Sequence, residues 1–372
     1  MPYTENKLPE YPLRRDMWDK IAEDERPIAV YGMGNGADKL FCRLEKYGKV
    51  PSEVFASDGF VRGHSYRGYQ VLSLSDVKEK YGNFIILLSF ASNRAEVIEM
   101  IEKIDRENSL LIPDMPVAGE EYFDKDFYNA HYTEICEAYN SLSDEASKNA
   151  FASIINYKLF GELKYLLGCF SDTSDIYSLL KDNIETAVDA GAYNGDTVRE
   201  LLGYRTGVKK IFAIEPDRRN YKKLSKYVDL TDISVDIVPI NAAVYSEDGD
   251  GCFSGSGNRN SSISSTVSYE HKNEQVNLIK IDSLADCRID YIKYDVEGAE
   301  REALIGSRKT IEKYRPDLLI SAYHRSEDVF SLVNYVKKNY PFYSLYMRRT
   351  LCFPAWEIAL VAVCENDVAN RI

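Results

Sequence analysis

Short apolar runs alternate with helix-period segments in two stretches of the chain, and a third stretch between them shows only the helical period. In the first stretch, residues 28–31 are apolar and enter Gly32-Met33-Gly34-Asn35-Gly36, after which Leu40, Phe41 and Leu44 recur at helical spacing. Residues 54–57 read as a second strand ending in Asp58. Residues 84–89 read as a third, followed by Val97, Ile98 and Ile101 on one helix face. Strands alternating with helices predict parallel βαβ units. About three strands are expected here, ending near residue 116, where Pro113 and Pro116 break the pattern. From 127 to 180 the apolar positions follow helices only: Ile135, Ala138 and Leu142, then Phe151, Ile154, Ile155 and Leu159, then Leu163, Leu166 and Leu167. Ser143-Asp144-Glu145 reads as a helix start among them.

From Glu185 the alternation resumes. Strands are predicted at 186–189, 211–215, 237–240, 291–295 and 318–323, with helical patterns between most of them. Two more, 342–347 and 358–363, are joined by a short loop containing Pro354, which fits an antiparallel hairpin because a parallel connection needs a long crossover. Residues 246–268, rich in Ser, Gly and Asn, read as a long loop or weak hairpin near the site. The expected division is an α/β domain over 1–116, a helical connector or lid over 117–183, and a second α/β domain over 184–372.

Composition narrows the class. At 45% hydrophobic and 28% charged, 372 residues can bury a sizeable core, and more than one module is expected. A net charge of −13 disfavours a nucleic-acid partner, since phosphate binders concentrate Lys and Arg. The basic cluster Arg218, Arg219, Lys222, Lys223 and Lys226 reads as one solvated helix face. Residues 1–15 show no apolar core of a signal peptide, and no apolar run approaches the ~18 residues of a membrane helix. The 7 cysteines are scattered and never spaced C-x-x-C, which suits reduced thiols in a cytoplasm. His64, His131, His271 and His324 form no close pair, so no metal site is expected. Homo-oligomerisation is left open.

The most informative segment is Thr186-Ala187-Val188-Asp189-Ala190-Gly191-Ala192-Tyr193-Asn194-Gly195-Asp196-Thr197, a strand running into D-x-G-x-x-x-G and a helix from about Thr197. Open α/β sheets bind ligands beyond the carboxyl ends of their strands, at the switch in strand order. Gly191 and Gly195 permit close backbone approach. Asp189 at the strand end would oppose a pyrophosphate; it suits hydrogen bonding around the methionine ammonium of S-adenosylmethionine, or is held by loop amides. The next strand ends Glu215-Pro216-Asp217, where an acid can accept from both ribose hydroxyls. The third ends Asn241-Ala242-Ala243, a side-chain amide and small residues that suit an adenine edge and face.

Val188 to Thr197, Ile214-Glu215-Pro216 and Tyr291-Ile292-Lys293-Tyr294-Asp295-Val296-Glu297-Gly298-Ala299-Glu300 together resemble the FkbM family of S-adenosylmethionine-dependent methyltransferases. K-x-D-x-E-G-x-E is the most specific part. The resemblance spans residues 185–363. It implies a Rossmann-like class I methyltransferase fold, five parallel strands closed by a hairpin, and O-methylation of a sugar or polyketide-type natural product. The partner it implies is a small-molecule or carbohydrate acceptor.

At the acceptor end, Asp295 closes the fourth strand beside the expected position of the methyl group, and Lys293 projects to the same face. Glu297 and Glu300 open the next helix, where they either cap it or act in the site. His324 follows the fifth strand and is either the base for an acceptor hydroxyl or a surface residue capping the helix from Ser326. In the smaller, Rossmann-like N-terminal domain, Gly32, Gly34, Gly36 and Asp58 match a dinucleotide fingerprint and its ribose acid. They define a candidate second nucleotide site, and with it an alternative reading as an NAD- or nucleotide-sugar-binding enzyme.

Overall fold

The structure, a computed structural model, describes residues 7–57, 61, 63–231, 234–254, 262–264, 273–284 and 286–364. After helix α1 (Met17–Glu23), the chain forms β1 (Ile28–Tyr31), α2 (Asn35–Lys46), β2 (Glu53–Phe55), β3 (Ser65–Tyr66), β4 (Tyr69–Leu72), α3 (Leu74–Tyr81), β5 (Ile85–Leu88), α4 (Ala95–Glu107) and β6 (Ser109–Leu111). These strands make a six-stranded sheet in the order β3-β4-β2-β1-β5-β6, parallel except for β3. The sequence pattern gives three of them. β3, β4 and β6 are short and half-exposed, so their residues carry neither a continuous apolar run nor a clear alternation. Asp58 lies outside the described residues.

Five helices follow: α5 (Lys125–Ala130), α6 (Tyr132–Ser141), α7 (Glu145–Phe160), α8 (Lys164–Leu167) and α9 (Thr173–Leu179). Asp144 caps α7 by accepting from Ser147 N at 2.7 Å, as a residue with a short acidic side chain does at a helix start. The same carboxylate grips Arg348 of the second sheet at 2.7 Å.

The second α/β unit runs β7 (Thr186–Ala190), α10 (Asp196–Tyr204), β8 (Lys210–Ile214), α11 (Arg218–Leu230), β9 (Asp236–Ile240), β10 (Ala243–Val244), β11 (Gly249–Ser254), β12 (Ser262–Ser264), β13 (Asn273–Ile279), β14 (Tyr291–Tyr294), α12 (Glu300–Ile305), α13 (Arg308–Tyr314), β15 (Asp317–Ser321), α14 (Asp328–Asn339), β16 (Tyr343–Arg349) and β17 (Ile358–Cys364). Its seven-stranded sheet has the order β16-β17-β15-β14-β7-β8-β9, with β17 antiparallel to both neighbours. Within residues 246–268 the hairpin alternative holds among the described residues: beyond the bends at 246–248, β11 and β12 pair antiparallel, and a small four-stranded sheet β10-β13-β11-β12 results. Strand order reverses between β7 and β14, which places the switch point beside Gly191.

Side-chain alternation on the strands sorts the core into layers. Ile28 and Val30 pack with α1 and α2 on one face of the first sheet, while Ala29 and Tyr31 face the other way. That second layer is continuous with Ile154 and Ile155 of α7 and with Val188, Ile214, Ile292 and Ile320 of the second sheet. The helical middle segment is therefore buried between two sheets, and α7 buries nearly its whole circumference. Among the described residues no helix is long and apolar enough to cross a membrane.

Candidate active site

A cavity of about 460 Å³ opens at the switch point of the seven-stranded sheet. Parallel pairing sets Lys293 beside Asp189 and Tyr294 beside Ala190, and Asp295 N continues the ladder to Ala190 O at 2.9 Å. Gly191 follows at φ 92°, and a Cβ there would stand 1.9 Å from the Asp295 carbonyl oxygen, so a glycine is required. The turn continues through Tyr193 at φ 47° and Gly195 at φ 85°, and α10 starts at Asp196, one residue earlier than expected.

Glu215, at the end of β8, organises the half of the cavity at the ends of β7 and β8. Its Oε2 accepts from Tyr193 N and its Oε1 from Asp217 N, both at 2.9 Å, so both flanking loops are tied to it. Burial pushes its carboxyl up to about 7, and the two amide donors only partly oppose that. Asp189 accepts from Thr197 Oγ1 at 2.5 Å, while its Oδ1 is buried without a hydrogen bond. Burial raises Asp189 too, against the pull of Lys293 at 3.9 Å. Gly191, Tyr193, Asp196, Thr197, Glu215, Pro216, Asp217 and Ala242 all line the cavity. Ala192, Asn194, Gly195 and Asn241 shape the loops from behind. Asn194 accepts from Arg199 at 3.2 Å, and Asn241 spends its amide N–H groups on the carbonyls of Glu215 and Pro216, at 2.8 and 3.0 Å.

Asp295, Glu297 and His324 line the other half. Lys293 Nζ donates to Asp295 Oδ2 at 3.1 Å, confirming that the two side chains share a face. Burial would raise Asp295, but Lys293 and then His324 outweigh it and hold the carboxyl near 2. Burial would lower His324, but Glu300, Asp295 and Glu297 outweigh it and lift the imidazole to about 10. The near-neutral value expected of an isolated histidine is lost because three carboxylates surround it. Its Nδ1 lies 2.9 Å from Glu300 Oε1, and its Nε2 lies 3.6 Å from both Asp295 Oδ1 and Glu297 Oε2. Glu300 does not cap α12, which has no side-chain cap: its Oε1 accepts from Val296 N at 3.0 Å in the turn before the helix, and it faces His324 from behind the cavity wall. Burial pushes Glu297 up to about 8 despite the opposing imidazole.

Some of the wall carries no local sequence signal. Asn93 and Val117 come from beyond the first sheet, carried in by a backbone pair between Ser92 and Phe353 (2.8 and 3.0 Å) and by Ala118 N donating to His324 O at 2.7 Å. Thr350, Leu351, Trp356 and Glu357 come from the β16–β17 loop. That loop was legible as a hairpin but not as a wall. At the N-terminal glycines, Gly32 would place a Cβ 2.6 Å from the Phe90 ring and Gly36 one 2.1 Å from Ser89 O. These two glycines serve close packing against the turn after β5. Gly34, at φ 131°, has open space beside it.

An open sheet of this strand order, with a buried acid at the end of β8 and glycine flush against β14, is a Rossmann-like class I methyltransferase fold. Residues 189–344 match the family described as the methyltransferase FkbM domain, and that segment is such a domain. The crystal structure of methyltransferase FkbM from Methylobacillus flagellatus KT is similar over 93% of this chain and 92% of that one, with a TM-score of 0.68 and 22% identity. That likeness of fold includes both sheets. An rRNA methylase from Streptococcus thermophilus aligns with 51% of this chain and 92% of its own at a TM-score of 0.32 and 12% identity, too loose a likeness to argue from. No curated protein matches the sequence.

Proposed function

We propose that the chain binds S-adenosylmethionine across the ends of β7, β8 and β9 and transfers its methyl group to a hydroxyl of a sugar-like small molecule. The observation that carries this is Glu215: a buried carboxylate, held by two backbone amides at the end of the strand next to the glycine turn, where a ribose diol would meet it. Asp189 with its unpaired Oδ1 supplies the acceptor for the cofactor's ammonium group. The sulfonium is already activated, so alignment is expected to supply up to about 7–11 kcal/mol and a proton acceptor a further ~10²–10⁴-fold. Asp295 and His324 are the pair placed to bind the reacting hydroxyl: the imidazole, lifted to about 10, keeps its own proton at neutral pH and donates, which leaves the ionised Asp295 to take the hydroxyl's proton.

The acceptor half is lined by Asp295, Glu297 and Glu357 against His324, a balance that opposes a phosphate and suits a neutral polyol. Trp356, whose Nε1 is buried without a hydrogen bond, offers an aromatic face and an N–H donor. We read the first sheet as a wall of this cavity, because packing accounts for Gly32 and Gly36. We place the protein in the cytoplasm, in keeping with free thiols at all six described cysteines.

Calorimetry with S-adenosylhomocysteine and NAD side by side tests the reading. We expect binding of the first alone. Glu215→Ala should weaken it by about 1.5–3 kcal/mol, the worth of hydrogen bonds to a charged group. Unchanged affinity in that variant would sink the ribose assignment.

A further inference from the structure

The His324 ring has carboxyl groups at both of its nitrogens. Nδ1 lies 2.9 Å from Glu300 Oε1 behind the cavity wall, and Nε2 lies 3.6 Å from Asp295 Oδ1 and Glu297 Oε2 at the cavity. An ionised carboxylate accepts and cannot donate, so this setting favours a proton on each ring nitrogen. At 3.6 Å the Nε2–H spends no hydrogen bond on either acid. It stays free for an oxygen that enters the cavity.

Glu300 is held in place by the backbone as well as by the ring. Its Oε1 accepts from Val296 N at 3.0 Å and from Gly298 N at 3.4 Å, and its side chain is 1% exposed. A carboxylate buried this deeply needs a cation, and among the described residues the one it meets is His324. The other groups near the ring are committed elsewhere. Lys293 is turned to Asp295 at 3.1 Å, Arg325 Nε donates to Gly298 O at 2.8 Å, and Tyr323 stacks on the imidazole at 4.2 Å. Asp328, at the start of α14, is pushed well above the usual carboxylate range by burial and then by Glu300, so it brings little charge to the ring at neutral pH. Burial alone would lower His324; of the charges that outweigh it, Glu300 comes first. The spacing of K-x-D-x-E-G-x-E does not reveal this pairing, because it needs the loop after β15 to fold back onto the start of α12.

We propose that Glu300 is the positioning residue of the acceptor site, holding His324 as an imidazolium whose Nε2–H faces the cavity. Glu300 does not itself line the cavity, so it acts through the ring. The presented N–H binds the oxygen of the hydroxyl to be methylated, beside the Asp295 carboxylate. That oxygen takes the methyl group, its proton passes to Asp295, and the electron pair of the broken carbon–sulfur bond stays on sulfur. This role at the acceptor rests on the methyltransferase reading above; the charge on the ring and the part Glu300 has in it do not.

The test uses the full chain with ¹³C-labelled histidine, its 4 imidazoles followed by nuclear magnetic resonance from about pH 6 to 10. The signal lost in His324→Asn identifies the ring. We expect it to remain protonated at about pH 8, where an ordinary histidine is neutral. Glu300→Gln keeps an oxygen for both backbone amides and removes the charge, so the midpoint should fall by about 1–3 pH units. Glu300→Asp, which keeps the charge, should recover most of that fall. A midpoint unmoved in Glu300→Gln, or an equal fall in Glu300→Asp, overturns the proposal. So does a wild-type ring that is neutral at about pH 8, whether or not either variant folds. S-adenosylhomocysteine calorimetry on the same samples separates the two readings. Cofactor binding with an unmoved midpoint refutes the role of Glu300 alone, and a lowered midpoint without cofactor binding refutes the cofactor assignment alone.

Discussion

Under the proposed cofactor reading, the buried Glu215 carboxyl would couple cofactor binding to pH. A ribose diol donates to an ionised carboxylate, and burial holds this carboxyl up at about 7. Cofactor affinity should therefore rise as pH increases through 7, by about tenfold per unit on the acid side, and level off above it. Stability runs the other way. The folded value lies above the unfolded 4.5, so this group's contribution is full below pH 4.5 and is lost as pH rises through about 7. Calorimetric titration of S-adenosylhomocysteine between pH 5.5 and 8.5 (about three units around the midpoint) checks it; a flat profile would rule out Glu215 as the ribose acid. Opposite the cofactor, His324→Ala should lower kcat by ~10²–10⁴-fold while leaving cofactor affinity nearly unchanged. Saturation kinetics with the cognate acceptor would read this, and wild-type kcat would remove His324 from the mechanism.

Among the elements, α7 is the one on which both sheets rest. Its last turn carries Lys158, 2% exposed and 2.6 Å from Asp114 just after β6, while its first turn meets β16 through Asp144, Ser147 and Arg348. Lys158→Met leaves Asp114 buried without its partner and should cost roughly 3–5 kcal/mol in urea unfolding. Replacing both members by apolar residues should recover much of that loss. A cost below about 1 kcal/mol for the single change would show the pair to be solvated. The turn after β5 does comparable work for the site. By packing Phe90 over Gly32 and pairing Ser92 with Phe353, it brings Asn93 to the cavity from the first sheet.

At the scale of the whole molecule, the two sheets share one apolar layer running from Leu13 through α7 to Cys364. Separate unfolding would expose that layer, so we expect a single calorimetric transition that S-adenosylhomocysteine shifts upward as a unit. Two transitions, with only the later one moved by the ligand, would show that the first sheet is an independent body. The strands of the second sheet were nearly all legible beforehand because each is a short, doubly buried run whose residues must be apolar whatever surrounds them. Gly191 and Glu215 were legible for a similar reason: the turn and the acid answer to their own strand ends. β3, β4 and β6 were not, since β3 and β6 lie at the sheet edges and β4 just inside one, all three are half-wet, and their burial depends on neighbours far away in sequence. The same division holds for the chemistry. Which residues bear charge at the strand ends is a local matter that the order of amino acids determines. The value near 10 at His324, the unpaired Glu297 oxygen and the Asn93 wall arise only when separate loops are brought within a few ångströms, because desolvation and Coulomb forces act through space and not along the chain.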